Sequence, residues 1–546
     1  MRRFAAGPRL LPTVLALAVF AVGLYMVATT AAMVVRCWSL VPFWDQWENL
    51  IFDPGQVFSA WLFAQHNEHR IVLPRLLFAI DAFAFRETQR FNFFCNVALP
   101  LALAGLLVAL ARRATGRGAA DTLWLGGIVL ATLFSAMQAE NFVWGFQVQF
   151  FGVELAACGA FAILALARPR AATLAAAIGC AAAALFTLSS GAVALAVALP
   201  LAWRAGWPRR HLAVLAIAGV LLLALYLHGY VTPDYHSDPL QTVAQPRVAL
   251  YVAGFLGNPF GHLVPARRAI AVALAAGGFG LVLFAAFGAT LLHRGRDADR
   301  AQLALLATAA FVVGFGVLAG LGRLKFGLVQ TLSSRYATPA LLFWLSLALI
   351  AVAEIRRGWP QLRVPVMALG LLGTLILAWP QRHSVADGAA WVAPRRSAET
   401  ALLAGVDDAQ ALRRLFPDTA LVERQAARLR ERHLAMFAEP WSGWLGTPLA
   451  AHVRLAGDCD GAVVTIERIA GGARVGGWVA DGRERPAPRR LVLTDAGGAV
   501  VGYALSGFPT DEPHAAGWQG HVAGASEGLA AYALFDGDSA ACRLAR

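Results

Sequence analysis

Long apolar runs broken by short polar turns fill the first two-thirds of the chain, and their length predicts helices that cross a bilayer. A crossing takes about 20 apolar residues. Runs of that order fall near 10–35, 91–111, 121–137, 146–167, 171–188, 189–203, 211–230, 269–292, 301–321, 337–354 and 364–380, so about eleven spans are expected. Two segments need a separate reading. The stretch "IVLPRLLFAIDAFAF", Ile71 to Phe85, is short, begins beside Pro74 and carries Arg75 and Asp81. Burial in lipid would strand both charges, which predicts a helix lying along the interface. The Ala-rich stretch 171–203 breaks at "LSSG", with "ARPR" before it and "WRAGWPRRH" after it, which predicts two short helices returning to the side they started from.

Beyond about residue 380 the pattern changes. Residues 398–437 have the helical periodicity of an amphipathic segment, interrupted near Pro417. From about 455 the runs become short and alternating, as in "RVGGWVAD" and "LVLTDAGGAVVGYAL", the second a hairpin candidate turning at Asp495. The expected fold class is a polytopic α-helical membrane protein with a small C-terminal β-sandwich. The expected boundaries are 1–380 for the membrane domain, including a first outer loop at 36–90, then a helical linker at 381–454 and the sandwich at 455–546.

Composition agrees with this class. Of 546 residues, 58% are hydrophobic and only 14% charged, far from the balance of a soluble domain. The formal charge of +13 does not call for nucleic acid, because the basic residues recur in turns between spans, where membrane orientation places them. Lys325 is the only lysine. With the contested segments read as above, Arg2/Arg3/Arg9, Arg112/Arg113/Arg117, Arg168/Arg170, Arg204/Arg209/Arg210, Arg294/Arg296/Arg300 and Arg356/Arg357/Arg363 all fall on one face. The positive-inside rule makes that face cytoplasmic, with the N-terminus inside and the C-terminal region outside. The first apolar run is longer than a signal-peptide core and shows no small-residue cleavage pattern, so it is expected to remain as the first span.

The unusual polar chemistry then collects on the outer face, where a surface active site would put it; a transporter would spread it through the bilayer midplane. In "VPFWDQWENL", Asp45 stands between Trp44 and Trp47. Tryptophans favour the headgroup level, so Asp45 reads either as a general base beside a lipid phosphate, with Glu48 as a second acid, or as a solvated turn residue. The motif "HNEHR" puts His66, Glu68, His69 and Arg70 together. Its spacing is not the H-E-x-x-H of zinc enzymes, and a metal site would need Asp45 or Glu48 to join with a third ligand that the sequence does not specify. No cofactor is called for. Sugar hydroxyls are the better-matched ligands, with Arg70 and Arg75 able to meet phosphate.

In "GRLKFGLVQTLSSRY" the cations Arg323, Lys325 and Arg335, followed by Tyr336, lie on the outer side against the orientation bias. An anionic ligand such as a polyprenyl phosphate would account for them, as would lipid headgroups. "AENFVWGFQVQ" offers Glu140, Asn141, Trp144 and Gln147 as a sugar-binding wall or an ordinary interfacial belt. Of six cysteines, Cys459 and Cys542 bracket the β region, so a disulfide between them is expected in an oxidising compartment.

An acidic motif in the first outer loop, an interfacial helix after it, many spans with polar outer loops and an outer C-terminal domain together resemble the GT-C superfamily of membrane glycosyltransferases. "HNEHR…PRLL" and "SSRY" look like a bacterial branch of it. The resemblance implies transfer of a sugar from a polyprenyl-phosphate carrier to a cell-envelope glycan or lipid acceptor at the outer face of the inner membrane. It also implies that Asp45 serves as base or acceptor-positioning group. Many members carry two adjacent acids here, whereas this chain has Gln46 after Asp45 and the next acid at Glu48. Two rival readings remain: a lipid-linked sugar flippase or transporter, and a non-catalytic envelope protein whose β module binds glycan.

Overall fold

The computed structural model describes residues 10–116, 118–480, 487–524, 528–535, 537 and 539–545. Arg2, Arg3, Arg9 and Arg117 from the basic turns lie outside these, as does the Arg296 side chain. The chain forms two compact units that do not follow the expected boundaries. The first is Met1–Val35, Gly55–Leu76 and Asn92–Val385; the second is Arg36–Pro54, Leu77–Phe91 and Ala386–Arg546.

The first unit is a helical membrane bundle. Among the described residues, nine helical segments are long and apolar enough to cross a membrane: Leu10–Cys37, Arg90–Thr115, Ala119–Val143, Gly145–Leu166, Arg209–Leu227, Ala266–His293, Arg300–Phe326, Ser334–Gly358 and Pro360–Ala404, the last apolar mainly in its helix Arg363–Gln381. The other two expected spans are helices Ala171–Leu185 and Gly191–Arg204, of 15 and 14 residues, short of a full crossing. They form a tight hairpin. A Cβ on Gly191 would sit 2.1 Å from the Ala184 carbonyl carbon, so only glycine lets the chain turn there.

One element was not legible in the sequence. The segment after residue 230, read as a loop, contains the helix Arg247–Leu256, which buries Tyr251, Val252, Phe255 and Leu256. It packs on Ala266–His293 through very close backbone approach: a Cβ on Gly257 would lie 1.8 Å from the Ala273 carbonyl oxygen, and one on Gly277 1.8 Å from that of Ala253. Small residues at such crossings replace hydrophobic driving force with van der Waals contact.

Three of the basic turns meet at one end of the bundle. Arg204 donates to the Gly295 carbonyl at 2.8 Å, Arg294 pairs with Glu354, and Arg356 and Arg363 each reach Asp121 at 2.9 Å. The helix Val72–Phe85 accommodates its charges with backbone partners rather than water. Arg75, 3% exposed, donates to the carbonyls of Trp61 (2.8 Å), Leu62 (3.2 Å) and Ala64 (2.6 Å) and lies over the Trp61 ring. Asp81 accepts the N–H groups of Gln89 and Phe91 at 2.8 and 2.7 Å.

Among the described residues of the second unit, eight strands hydrogen-bond as one sheet, not as the two of a sandwich. They are β1 Arg454–Cys459, β2 Gly461–Ile469, β3 Gly472–Ala480, β4 Arg490–Thr494, β5 Val500–Phe508, β6 Ala515–Ala523, β7 Ala530–Phe535 and β8 Ala540–Leu544, in the order β1-β8-β7-β4-β5-β6-β3-β2. The sheet curls until β2 touches β7 and β8, and its inner face encloses Val475, Leu491, Leu493, Trp518, Val522 and Ala533. Closing one sheet on itself buries a core without a second layer. The β4–β5 hairpin turns at Asp495, whose Oδ1 accepts the N–H groups of Gly497 and Ala499, both at 2.9 Å. Cys459 and Cys542 are disulfide-bonded, with Cα atoms 5.6 Å apart.

The outer face of β4, β5, β7 and β8 carries Val492, Tyr503, Leu505, Leu534 and Ala541 into a second core with the helices Ser384–Ala404 and Thr419–Glu431. Residues of the first loop complete that core: Leu40, Val41, Trp47, Leu50 and Phe52 are all buried in it. This is why 36–54 leaves the membrane domain. Trp47, expected in a headgroup belt, is fully buried, while Trp44 remains exposed.

Candidate functional site

In the first unit, the "HNEHR" segment is a tight reversal. His66 and His69 exchange backbone hydrogen bonds of 2.8 Å in each direction, and Asn67 takes a φ of 50° at the bend. This geometry turns the Glu68 side chain toward segments far away in sequence. Its Oε1 pairs with Arg323 Nη2 and lies 3.5 Å from His69 Nε2; its Oε2 accepts from the Tyr235 hydroxyl at 3.3 Å and lies 3.3 Å from His236 Nε2. The Ser189 amide donates to His69 Nδ1 at 3.3 Å. That bond leaves the neutral ring's proton on Nε2, facing Glu68.

Burial alone would raise the Glu68 carboxyl, but His69, His236 and Arg323 outweigh it and hold the group ionised, well below the usual carboxylate range. Burial pushes His69 the other way, down to about 4, although Glu68 opposes it. Near neutral pH the pair is therefore a carboxylate facing a neutral imidazole. A carboxylate held this low is a poor proton acceptor. It is well suited to accept hydrogen bonds from hydroxyls and to fix a guanidinium.

Arg70 does not face a ligand. Its Nε donates to the Tyr226 carbonyl at 2.6 Å, and its two terminal nitrogens donate to Phe63 and His228, which locks the reversal to the end of the helix Arg209–Leu227. His66 is 7% exposed, with its ring edge-on to Phe146. Lys325 donates to the carbonyls of Asp234 (3.2 Å) and His236 (3.1 Å), so it fixes the strand of chain that carries His236.

A second cluster adjoins the start of the helix Ala337–Gly358. Glu140 accepts from Ser333 Oγ (3.4 Å) and the Arg335 amide (3.3 Å), and its Oε1 lies 3.7 Å from Arg335 Nε. Arg335 is 28% exposed, and its Nη1 and Nη2 make no hydrogen bond among the described residues. Tyr336 is buried, ring to ring with Phe255, and Gln147 is 1% exposed. Both pack within the bundle.

Five inter-helix segments thus meet on one rim: 65–70, 140, the turn at Ser189, 231–236 and 323–335. The reach of Ser189 to His69 puts the short hairpin's turn on this rim, opposite the end where Arg204 meets Gly295.

Asp45 and Glu48 belong to the second unit. Asp45 lies in a single 3₁₀ turn, Trp44–Gln46, that is clamped by the Trp44 N–H on the Leu415 carbonyl (2.8 Å) and by Asn49 Nδ2 on the Asp45 carbonyl (2.8 Å). The carboxylate is half-buried and Glu48 exposed.

One residue escaped the sequence reading. Glu154, in the helix Val148–Leu166, is fully buried, and neither carboxyl oxygen has a partner among the described residues. A lone acid inside an apolar run was the available signal. No family model, curated protein or solved structure matches this chain.

Proposed function

We propose that this protein is a membrane glycosyltransferase that moves a sugar from a polyprenyl-phosphate carrier to a cell-envelope glycan or lipid acceptor on the periplasmic side of a bacterial inner membrane. The observation that carries the reading is the rim itself, where an ionised, multiply hydrogen-bonded Glu68 and the uncommitted guanidinium end of Arg335 share one face of the bundle. Hydroxyl-rich and phosphate-bearing ligands need that combination. In this reading, Asp45 removes or orients the proton of the acceptor hydroxyl, whose oxygen attacks the anomeric carbon. The bond from that carbon to the carrier phosphate breaks with inversion, and the electron pair leaves on the phosphate. Arg335 stabilises the charge developing there. Arg323 acts through Glu68, and Lys325 through the segment carrying His236.

The test is a host lacking this gene, complemented with wild type or Asp45→Asn at matched membrane levels, with surface polysaccharide and lipid-linked sugars compared. Wild type is expected to restore a missing sugar and Asp45→Asn to fail. Full restoration by Asp45→Asn removes Asp45 as base. The unpartnered Glu154 carboxyl favours a second reading, a proton-coupled lipid-linked sugar transporter. It predicts the reverse pattern, in which Glu154→Gln fails and Asp45→Asn succeeds.

A further inference from the structure

A second polar site lies in the second unit, apart from the residues used above. A small cavity of about 50 Å³ is lined by Trp38, Ser39, Arg396, Glu399, Arg489 and Arg490, among others. Its lining charges do not balance: Arg396, Arg489 and Arg490 stand against Glu399. Arg490 also pairs with Glu439 at 3.2 Å, and Arg36 and Arg395 add positive charge near Cys37, beside the lining residue Trp38.

The cations are held in place. Arg396 Nη2 donates to the Arg36 carbonyl at 2.8 Å, and Arg395 lies over the rings of Phe43 and Trp391. Gly507, at φ 96°, leaves the room that Arg396 occupies, because a Cβ there would stand 2.8 Å from its Nη1. Arg489 is the exception. Only its Nη2 is engaged, in long contacts of 3.5 and 3.4 Å to the carbonyls of Arg36 and Trp38. Its Nε and Nη1 donors have no acceptor among the described residues. Burial and the like charges of Arg396 and Arg490 depress Arg489, which is the strain that an anion in the cavity relieves.

Size and position narrow the ligand. A cavity of this volume has room for one compact tetrahedral group, roughly the space of a few waters. Trp38 follows directly on the last residue of the first membrane helix, Leu10–Cys37, so chain connectivity brings this lining residue close to the end of a span. We infer that this arginine-lined cavity binds the phosphate group of a phosphate ester at the membrane surface, with Arg489 as its principal donor.

Full-length protein in a neutral detergent would be titrated with short-chain phosphatidylglycerol, inorganic phosphate or short-chain diacylglycerol, and thermal unfolding followed. Phosphatidylglycerol is expected to raise the melting temperature and diacylglycerol to leave it unchanged. Arg489→Gln, which removes only two long contacts to backbone carbonyls and is expected to keep the apo melting temperature, should weaken the lipid effect tenfold or more, with Arg489→Lys between the two. Equal stabilisation by inorganic phosphate, still dependent on Arg489, would uphold the phosphate site and assign it to a soluble source. No stabilisation by either phosphate compound, or stabilisation that Arg489→Gln does not alter, would overturn the inference and leave the arginines as caps for the carbonyls at the end of the first helix.

Discussion

Replacing Glu68 should cost stability as well as any activity, because its carboxylate meets Arg323, His69, His236 and Tyr235 together. Removing one partner of a fully buried ion pair costs about 3–5 kcal/mol, mostly the penalty of the charge left behind. Here Glu68 is 12% and Arg323 23% exposed, so water recovers part of that penalty and about 2–3 kcal/mol is expected for Glu68→Ala. Arg323→Ala should cost a similar amount. The double variant should cost little more than either single, since neither charge then remains stranded, giving a coupling of about 2 kcal/mol. Thermal unfolding in detergent, at one scan rate, can be read with a thiol-reactive dye on the buried cysteines Cys95 and Cys158 of the same unit. Arg335→Ala is the internal comparison. Its contact with Glu140 is long and partly exposed, so a loss of about 0–1 kcal/mol is expected, while transfer activity should fall sharply. Additive losses for the Glu68 and Arg323 variants, within about 0.5 kcal/mol, would refute the ion-pair reasoning.

Two further outcomes follow from the packing. In the second unit, Arg474 pairs with Asp408, whose carboxylate also lies 2.9 Å from His521 Nε2. Burial would raise Asp408, but Arg474 and His521 hold it below the carboxylate range, while burial lowers His521. Below about pH 6.5 the unfolded histidine takes a proton that the folded one resists, and below about pH 4 the stabilisation from Asp408 is lost as it titrates. The melting temperature should therefore fall in two stages on acidification, and Asp408→Asn should abolish the lower one; a profile that shows no drop below about pH 4, or the same lower drop in Asp408→Asn, would contradict this. In the bundle, Gly277→Leu should prevent the Arg247–Leu256 helix from docking and remove the monodisperse peak in size-exclusion chromatography, whereas Gly278→Ala, with open space around its Cβ position, should leave that peak intact.

The spans were legible because lipid leaves one solution for the backbone, and a run such as Leu10–Cys37 announces it by length alone. The Arg247–Leu256 helix was not, since ten residues between prolines read equally well as loop, and only its tertiary neighbours make it a helix. Glu68 was visible as part of a polar motif, but its partners, Arg323 and His236, are set by the three-dimensional meeting of loops and leave no mark at position 68. Arg70 misled for a related reason. Sequence shows a cation in a polar loop, and nothing local reveals that three carbonyls consume it. The single curled sheet differs from a sandwich only in which strands pair, and alternating runs do not encode that.

The enclosure of Trp47 in a core built by residues 398–449 bears on how the protein is made. Residues 36–54 leave the ribosome early, among the first spans, and must wait with Leu40, Val41, Trp47, Leu50 and Phe52 unsatisfied until the last part of the chain arrives. Until then the loop is an exposed apolar strip on a half-assembled protein, the kind of surface that chaperones hold. The same ordering means that the C-terminal region expressed by itself lacks one wall of its own core. Its binding properties are therefore best measured in the whole protein, and a nonsense mutation late in the gene would also undo the loop that carries Asp45.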